Sequence, residues 1–421
     1  MRILTLNAGS SSIKASLFDI PDREFSGSPI WEGLLDWSEA SRPARLSITT
    51  SDGKKEDRQA GHPESSHERA AIVLESLAET IDPASIESAG HRVVHGGSTY
   101  NATTLVDGEV KKEIERLTKF APLHNKLNLE VIEEAERRLP GVRQYAVFDT
   151  AFHATIPEYA SLYAVPYSFF EEMGIKRFGF HGISHQYASL RAAELAGSKP
   201  ARLITCHLGN GCSLAAVKEG RSMDTTMGFT PLDGLMMGSR SGAIDPGIIF
   251  HVLANSIHDA DSLESVLNRE SGLKGISGLS NDMREISQAM TDGHKRATLA
   301  FDMFVHSVVS NAGRMAASLG GLDALVFTGG IGEHSAPVRQ RVAEKLSFLN
   351  IALDAIKNDT ASDDAIISRK DSGVSVMVVR AREDLMIARE CLEKEICLEK
   401  EICLEKEKGT EKKDCREREK C

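Results

Sequence analysis

Three short runs rich in glycine and serine stand where a chain could hold phosphate: NAGSSSIK at 7–14, HLGNGCS at 207–213 and GGIGEHS at 329–335. Turns of this kind bring backbone N–H groups close to phosphate oxygens, because no Cβ stands in the way. None carries the GxxxxGK[ST] pattern or a complete GxGxxG fingerprint, and any one of them is equally an ordinary turn. Three together point to the phosphates of a nucleotide. Arg92 in GHRVVHGG and Arg240 in MMGSRSGAIDPG add planar forks among glycines, suited to clamping a carboxylate and a phosphoryl group. A surface salt bridge is the alternative for each. Asp149 ends the strand-like AVFD, where ligands bind beyond the carboxyl ends of strands in α/β folds, unless it only caps a helix. His124 in APLHNKLN and His181 in GFHGISH could donate to a transferring phosphoryl group, or be structural. The HxxxH pairs His91/His95 and His181/His185 lack the glutamate of HExxH, and flanking glycines argue against helices, so no zinc site is expected.

The elements that must position these residues alternate. ILTL, a turn and IKASLF read as a hairpin. RILTLNAGSSSIKASL at 2–17 aligns without gaps with RLITCHLGNGCSLAAV at 202–217: Arg2 meets Arg202, Thr5 meets Thr205, Gly9 meets Gly209 and Ala15 meets Ala215. Two related domains around a shared cleft follow from this repeat. Amphipathic stretches at 110–121 and 128–139 and the apolar run at 145–152 give an α/β pattern. A long helix from about Arg296 to Leu319 ends at Gly320 and Gly321, and the strand LDALVF follows. The glycine turn after it leads to Ser335 as a helix cap.

The 421 residues exceed what one core serves, so two domains are expected. A net charge of −11 disfavours nucleic-acid binding. No run approaches the roughly 20 apolar residues of a membrane helix, and the N-terminus lacks the apolar core of a signal peptide, so a cytoplasmic enzyme without membrane attachment is expected. Of the seven cysteines only Cys206 and Cys212 lie in the body, as small buried side chains. ECLEKE and two copies of ICLEKE repeat every six residues near the C-terminus. A six-residue step advances about 600° on a helix, so Cys391, Cys397 and Cys403 cannot share a face. This segment reads as a helical extension passing into a charged tail without catalysis.

NAGSSSIK, GHRVVHGG, APLHN, FDTAFH, FGFHGISH, HLGNGCS, DTTMGFTPLDGLMMGSRSG, FTGGIGEHS and EDLMIA, in this order and spacing, resemble the acetate kinases over roughly residues 1–390. That family lies in the superfamily of acetate and sugar kinases, Hsp70 and actin. The resemblance implies an α/β fold of two duplicated ribonuclease-H-like, actin-like ATPase domains with an interdomain active-site cleft. The implied domains are 1–149, completed by a helix at about 385–398, and 150–384, with a tail at 399–421. It also implies reversible transfer of the ATP γ-phosphoryl group to acetate, giving acetyl phosphate and ADP, by direct in-line displacement.

By that resemblance Asn7 and Glu383 serve the metal, Mg2+ or Mn2+, and Lys14 serves the nucleotide. His207, Leu208, Gly209, Asn210 and Gly211 match its second phosphate loop. Asp282, Met283 and Arg284, with Gly330, Ile331, Gly332, Glu333 and His334, match its nucleotide segments. Asp149 matches the catalytic acidic residue, and His181 and Arg240 those stabilising the transition state. Arg92 matches the acid-binding arginine, and Val94, Leu123, Phe180 and Pro231 the apolar wall of the acid pocket. A homodimer is implied as well. The chain departs from the family pattern at Lys126 and Leu127 in place of Pro and Ala, at Ala243 in place of Asp, and at His334 in place of Asn. A propionate or other short-chain acyl kinase is the near alternative. An inactive ATP-binding module like Hsp70 or actin is the distant one.

Overall fold

A computed structural model describes the chain except residues 24, 26, 39–41, 120–123 and 419–421; the side chains at 119 and 401–418 also lie outside the description. The chain forms two compact units: Met1–Val93 with Ala102–Val147 and Asp384–Cys421, and Val94–Asn101 with Phe148–Glu383.

In the first unit, β-branched and leucine-rich segments alternate with turns and build one mixed sheet. Its strands are β1 (Arg2–Ala8), β2 (Ser12–Asp19), β3 (Trp31–Asp36), β4 (Arg45–Thr50), β5 (Lys55–Gln59), β6 (Ser88–Val93), β7 (Thr104–Leu105) and β8 (Arg143–Phe148), whose last residue begins the other unit. The sheet order is β5-β4-β3-β2-β1-β6-β8-β7. β1 to β5 form an antiparallel meander, and β6 joins β1 in parallel. Leu4, Leu6, Ile13, Trp31 and Leu35 pack with the apolar faces of the helices Ser66–Ala78 and Asn125–Arg138. Each fully buried side chain of this size contributes about 1.5–3 kcal/mol.

The second unit repeats the plan with β9 (Arg202–Leu208), β10 (Cys212–Lys218), β11 (Arg221–Thr225), β12 (Ala324–Thr328), β13 (Ala365–Ile366) and β14 (Ser375–Val378), in the order β11-β10-β9-β12-β14-β13. Its first five positions match β3-β2-β1-β6-β8, so the duplicated fold stands. The gap-free alignment holds for the first strand only. Ala8 pairs with Ile13, leaving four residues in the first turn, whereas Leu208 pairs with Cys212, leaving three. Past the turn the strands are therefore offset by one: Lys14 faces Asn7, but Ser213 faces His207.

The long helix spans Lys295–Leu319, and Gly320 closes it in the left-handed conformation at φ 70°, with Gly321 N–H donating to the Ala316 carbonyl. The GGIGEH run differs from the turn expected of it. Residues Gly329–His334 are themselves helical, and Ser335 precedes the helix Ala336–Lys345 without a side-chain cap bond. Only Gly329 is left-handed here, at φ 76°, so the turn is compressed into one residue and the rest can wind.

A final helix runs Glu383–Arg418. Its first turns are fastened to the first unit: Thr103 donates to Glu390, and Arg143 and Tyr145 both donate to the buried Glu395. Cys391 is buried and Cys397 exposed, as the six-residue step requires. Gly90 on β6 makes the close approach possible, since a Cβ there would stand 2.5 Å from Cys391 Sγ and 2.6 Å from Ile387 Cγ2. Gly90→Ala is expected to destabilise the protein by about 1–3 kcal/mol in urea unfolding, and adding Cys391→Ala to recover part of that loss. Unchanged stability of the single variant would contradict the seating of this helix.

Candidate active site

In the first unit the β1–β2 hairpin sets Asn7 opposite Lys14. Arg92, next to last on the adjacent strand β6, donates through Nη1 to Asn7 Oδ1 on β1 at 3.2 Å. Lys14 Nζ lies 3.1 Å from Asp384 and 3.0 Å from Glu32. Burial opposes its charge, and the two carboxylates outweigh that, holding the ammonium above its usual pKa. Asp384 is buried and also accepts from Ser16. It went unread in the sequence although it adjoins Glu383, because nothing local marks it as the partner of a lysine 370 positions away. Behind the turn, Asn128 donates to the Ala8 carbonyl at 3.1 Å.

In the second unit Asp149 directly follows β8 and is fully buried, at the strand end where it was expected. Its carbonyl accepts from Gly182 N–H at 3.0 Å. Gly182 opens the helix Gly182–Ala196, and a Cβ there would lie 2.0 Å from that carbonyl. The glycine therefore seats the helix start and does not break it. This corrects the expectation that His185 is non-helical, since it lies in the first turns of that helix. His181, just before it, takes φ 57° and ψ 24°, left-handed for a residue with a Cβ. Its Nδ1 is 2.9 Å from Ser213 Oγ, and its ring lies over that of His207 with centroids 4.3 Å apart. His207 Nδ1 in turn meets Ser184 Oγ at 2.8 Å.

The β9–β10 turn gathers the remaining groups of this unit. A Cβ on Gly211 would stand 3.2 Å from His181 Nε2 and 3.7 Å from Arg240 Nη1, so histidine and arginine flank one open backbone face. Arg240 is half-buried and donates to the Pro231 carbonyl at 3.4 Å. Burial pulls its pKa below the usual value, and no carboxylate among the described residues pairs with it. Asn210 accepts from Gly238 N–H and from Asn281. Gly209 and Leu208 pack against the backbone of Gly330 and Gly329, which brings the helical GGIGEH segment to the same turn. Asp282 caps the helix Met283–Thr291 and pairs with the exposed Arg284, while Met283 is buried.

Phe180 and Val94 are buried, the Phe180 ring 5.6 Å from that of His95. Leu123 lies outside the described residues. Ser213, Asn281 and Arg339 were missed by the sequence reading. Arg339 is fully buried and donates to the carbonyls of Gly332 and Glu333 and to Asn358, holding the GGIGEH segment from behind. Its basic type on the buried side of an amphipathic helix was the one available signal.

Glycine-rich turns stand at the same place in two copies of one fold, the duplicated plan of an actin-like ATPase architecture, here that of a nucleotide-dependent phosphotransferase. The chain belongs to the acetokinase family, whose model matches residues 2–389. It is 50% identical over 402 residues to an acetate kinase of Gloeobacter violaceus, covering 93% of this chain and 98% of the relative. With an acetate kinase of Nostoc punctiforme it shares 49% over 401 residues, at 93% and 98% coverage. A crystal structure of Porphyromonas gingivalis acetate kinase superposes with a TM-score of 0.82 at 37% identity, covering 92% of this chain and 98% of that one. A propionate kinase structure from Francisella tularensis gives 0.85 at 38% identity, with the same coverage. The chain is thus an ATP-dependent phosphotransferase acting on a carboxyl group, with acetate or acetyl phosphate, ATP or ADP, and a divalent metal as its ligands.

Burial lowers the His153 pKa to about 4 and holds His185 well below its ordinary value; His91 in the first unit is likewise lowered to about 4. These rings stay neutral in the folded protein while the unfolded chain gains protons below its ordinary value of 6.5. Their stabilisation is therefore complete above that pH and is lost as pH falls toward 4. Unfolding free energy is expected to decline across this window by up to about 1.4 kcal/mol per pH unit for each histidine. Circular dichroism melts from pH 7.5 to 4.5 check this, and a constant Tm would contradict it.

Proposed function

We propose that the enzyme transfers the γ-phosphoryl group of ATP in line to an acetate oxygen, and that Arg240 and His181 stabilise the charge on the moving group. The observation carrying this reading is the half-buried Arg240 guanidinium, unpaired with any described carboxylate and sharing the Gly211 face with His181. An anion is what the Arg240 guanidinium lacks, and His181 stands beside it. The carboxylate oxygen forms a bond to phosphorus as the bond to the ADP oxygen breaks, so positioning and charge stabilisation do most of the work. Arg92 binds the acid's carboxylate, and Val94, Phe180 and Pro231 enclose its methyl group. His207 to Gly211, Asp282 to Arg284 and Gly330 to His334 receive the nucleotide.

Lys14 serves the nucleotide from a position already balanced by Asp384 and Glu32, so its contribution is geometric. Asn7 and Glu383 would hold the metal, which we take to be Mg2+, with Mn2+ able to replace it. Among the described residues no cluster of three or more His, Cys, Asp or Glu could cage a metal. One amide oxygen and one carboxylate fit a hard ion that keeps its waters and shares phosphate oxygens. When bound, it offsets phosphate charge. Asp149 orients Arg92, Arg240 or the metal's surroundings.

The likeness to a propionate kinase favours propionate as a second acceptor, since one methylene changes binding by only about 1–3 kcal/mol. Purified enzyme with ATP, Mg2+ and acetate, propionate or butyrate, trapped with hydroxylamine, is expected to give acetyl hydroxamate fastest. No product from any acid would leave a nucleotide-binding module. Arg240→Ala should lower kcat about 10²- to 10³-fold. Near-wild-type turnover of Asp149→Asn would remove Asp149 from the mechanism.

We further propose a cytoplasmic homodimer. The apolar helix Pro246–Asn255 has no buried residue and exposes Ile248 and Phe250, beside a groove of about 850 Å³ lined by Ile244, Ile248 and Met303. No helix among the described residues is long and apolar enough to cross a membrane, and a second copy is the occupant this face fits. Light scattering should give twice the chain mass, and Phe250→Asp should shift it toward one; a wild-type monomer would refute the assembly.

A further inference from the structure

We propose that Ser213 and His185, with Thr205 behind them, are positioning residues that fix His181 as its Nε2–H tautomer, so that the ring presents a donor to the transferring phosphoryl group. The proposal rests on the reading of His181 as the phosphoryl-facing histidine. The chain of contacts is continuous: Thr205 Oγ1 to His185 Nδ1 at 2.7 Å, His185 Nε2 to Ser213 Oγ at 2.7 Å, and Ser213 Oγ to His181 Nδ1 at 2.9 Å. Thr205, His185 and Ser213 are all completely buried. Water therefore does not break the sequence of bonds.

The direction of the chain follows from counting protons. Thr5, the counterpart of Thr205 on β1, donates its hydroxyl to the Ser16 carbonyl across the hairpin. Thr205 has no such carbonyl bond among the described residues, and His185 Nδ1 is its hydroxyl's hydrogen-bond partner. A buried hydroxyl proton without an acceptor costs about 1–3 kcal/mol, so Thr205 donates and His185 Nδ1 accepts. His185 is neutral, as its burial requires. Its single proton then sits on Nε2 and is donated to Ser213 Oγ. Ser213 has one proton to give and one partner left, His181 Nδ1. With Nδ1 accepting, neutral His181 carries its proton on Nε2, the atom that faces the Gly211 backbone beside Arg240 Nη1. The reverse polarity would leave the Thr205 hydroxyl unsatisfied and turn a lone pair of His181 toward the phosphoryl oxygens.

The test uses full-length enzyme labelled with ¹⁵N-histidine at pH 8, with two-bond ¹H–¹⁵N correlation reading the tautomers and His181→Gln assigning the signal. Wild-type His181 is expected to show a pyrrole-type Nε2 and a pyridine-type Nδ1. Ser213→Ala should mix the tautomers and lower kcat roughly 10- to 100-fold, part of what removal of one donor aimed at developing charge would cause. KM for acetate and ATP should stay near wild type, and Ser213→Thr should restore both signals and rate. Thr205→Val should disturb the His185 tautomer while Thr205→Ser preserves it. An Nδ1–H pattern in wild-type His181, or an unmixed Nε2–H pattern in Ser213→Ala, would overturn the proposal. The wild-type spectrum decides even if a variant fails to fold. Mixed tautomers with unchanged kcat would instead overturn the phosphoryl-facing role of His181 on which the proposal stands.

Discussion

The contact between the Asp149 carbonyl and Gly182 N–H is the constraint on which the placement of His181 depends. It joins the end of β8 to the start of the helix Gly182–Ala196 at a separation that admits no Cβ. With the helix start pinned there, His181 must turn through left-handed space to enter it, a strain of about 1–3 kcal/mol for a residue with a Cβ. Packing over-determines that strain. Ser213 holds one nitrogen of the ring, His207 lies against its face, and its Nε2 edge faces Gly211, where a Cβ would stand 3.2 Å away. A histidine on a regular helix would not reach this place, so the strained backbone and the aim of the imidazole are one feature.

Duplication supplied two hairpins, and a one-residue difference in their turns separated their chemistry. In the first, a lysine faces Asn7 and is balanced by Asp384 and Glu32. In the second, Ser213 faces His207, and the groups behind the turn are neutral hydroxyls and imidazoles. Burial, aided by the neighbouring His153 and His207, keeps the His185 imidazole uncharged, so the hydroxyls and this ring add no positive charge beside Arg240. Nor do they neutralise it. The guanidinium keeps its full attraction for an anion in a site of low dielectric, where such attraction is strongest.

Local signals made the hairpins, the long helix with its Gly320 cap and the strand end at Asp149 legible from sequence, because each depends on residues within a few positions. What was misread depended on distant partners. Gly182 looks like a helix breaker until Asp149, 33 positions earlier, is seen pressing on it. The helical GGIGEH segment looks like a turn because its support comes from Arg339 and Asn358. The slip between β2 and β10 was invisible because apolar alternation persists through it. Most candidate site residues came from family likeness, and their chemistry is readable only with the partners that folding provides.

Arg339 shows how such a partner can govern a site without touching it. A buried guanidinium is unfavourable unless its donors are satisfied, and here Gly332, Glu333 and Asn358 take them at 2.6 to 2.9 Å. Those bonds secure the last carbonyls of the short helix Gly329–His334, which at six residues could not hold itself together. The Glu333 side chain then accepts from Ala381 N–H at 2.9 Å, two residues before Glu383. The backbone proposed to receive the nucleotide and the carboxylate proposed to hold its metal are therefore referenced to one buried arginine. Precision on both sides of the phosphates follows from that shared support, since neither segment can shift without breaking these bonds, and those of Arg339 to Gly332 and Asn358 are buried away from water.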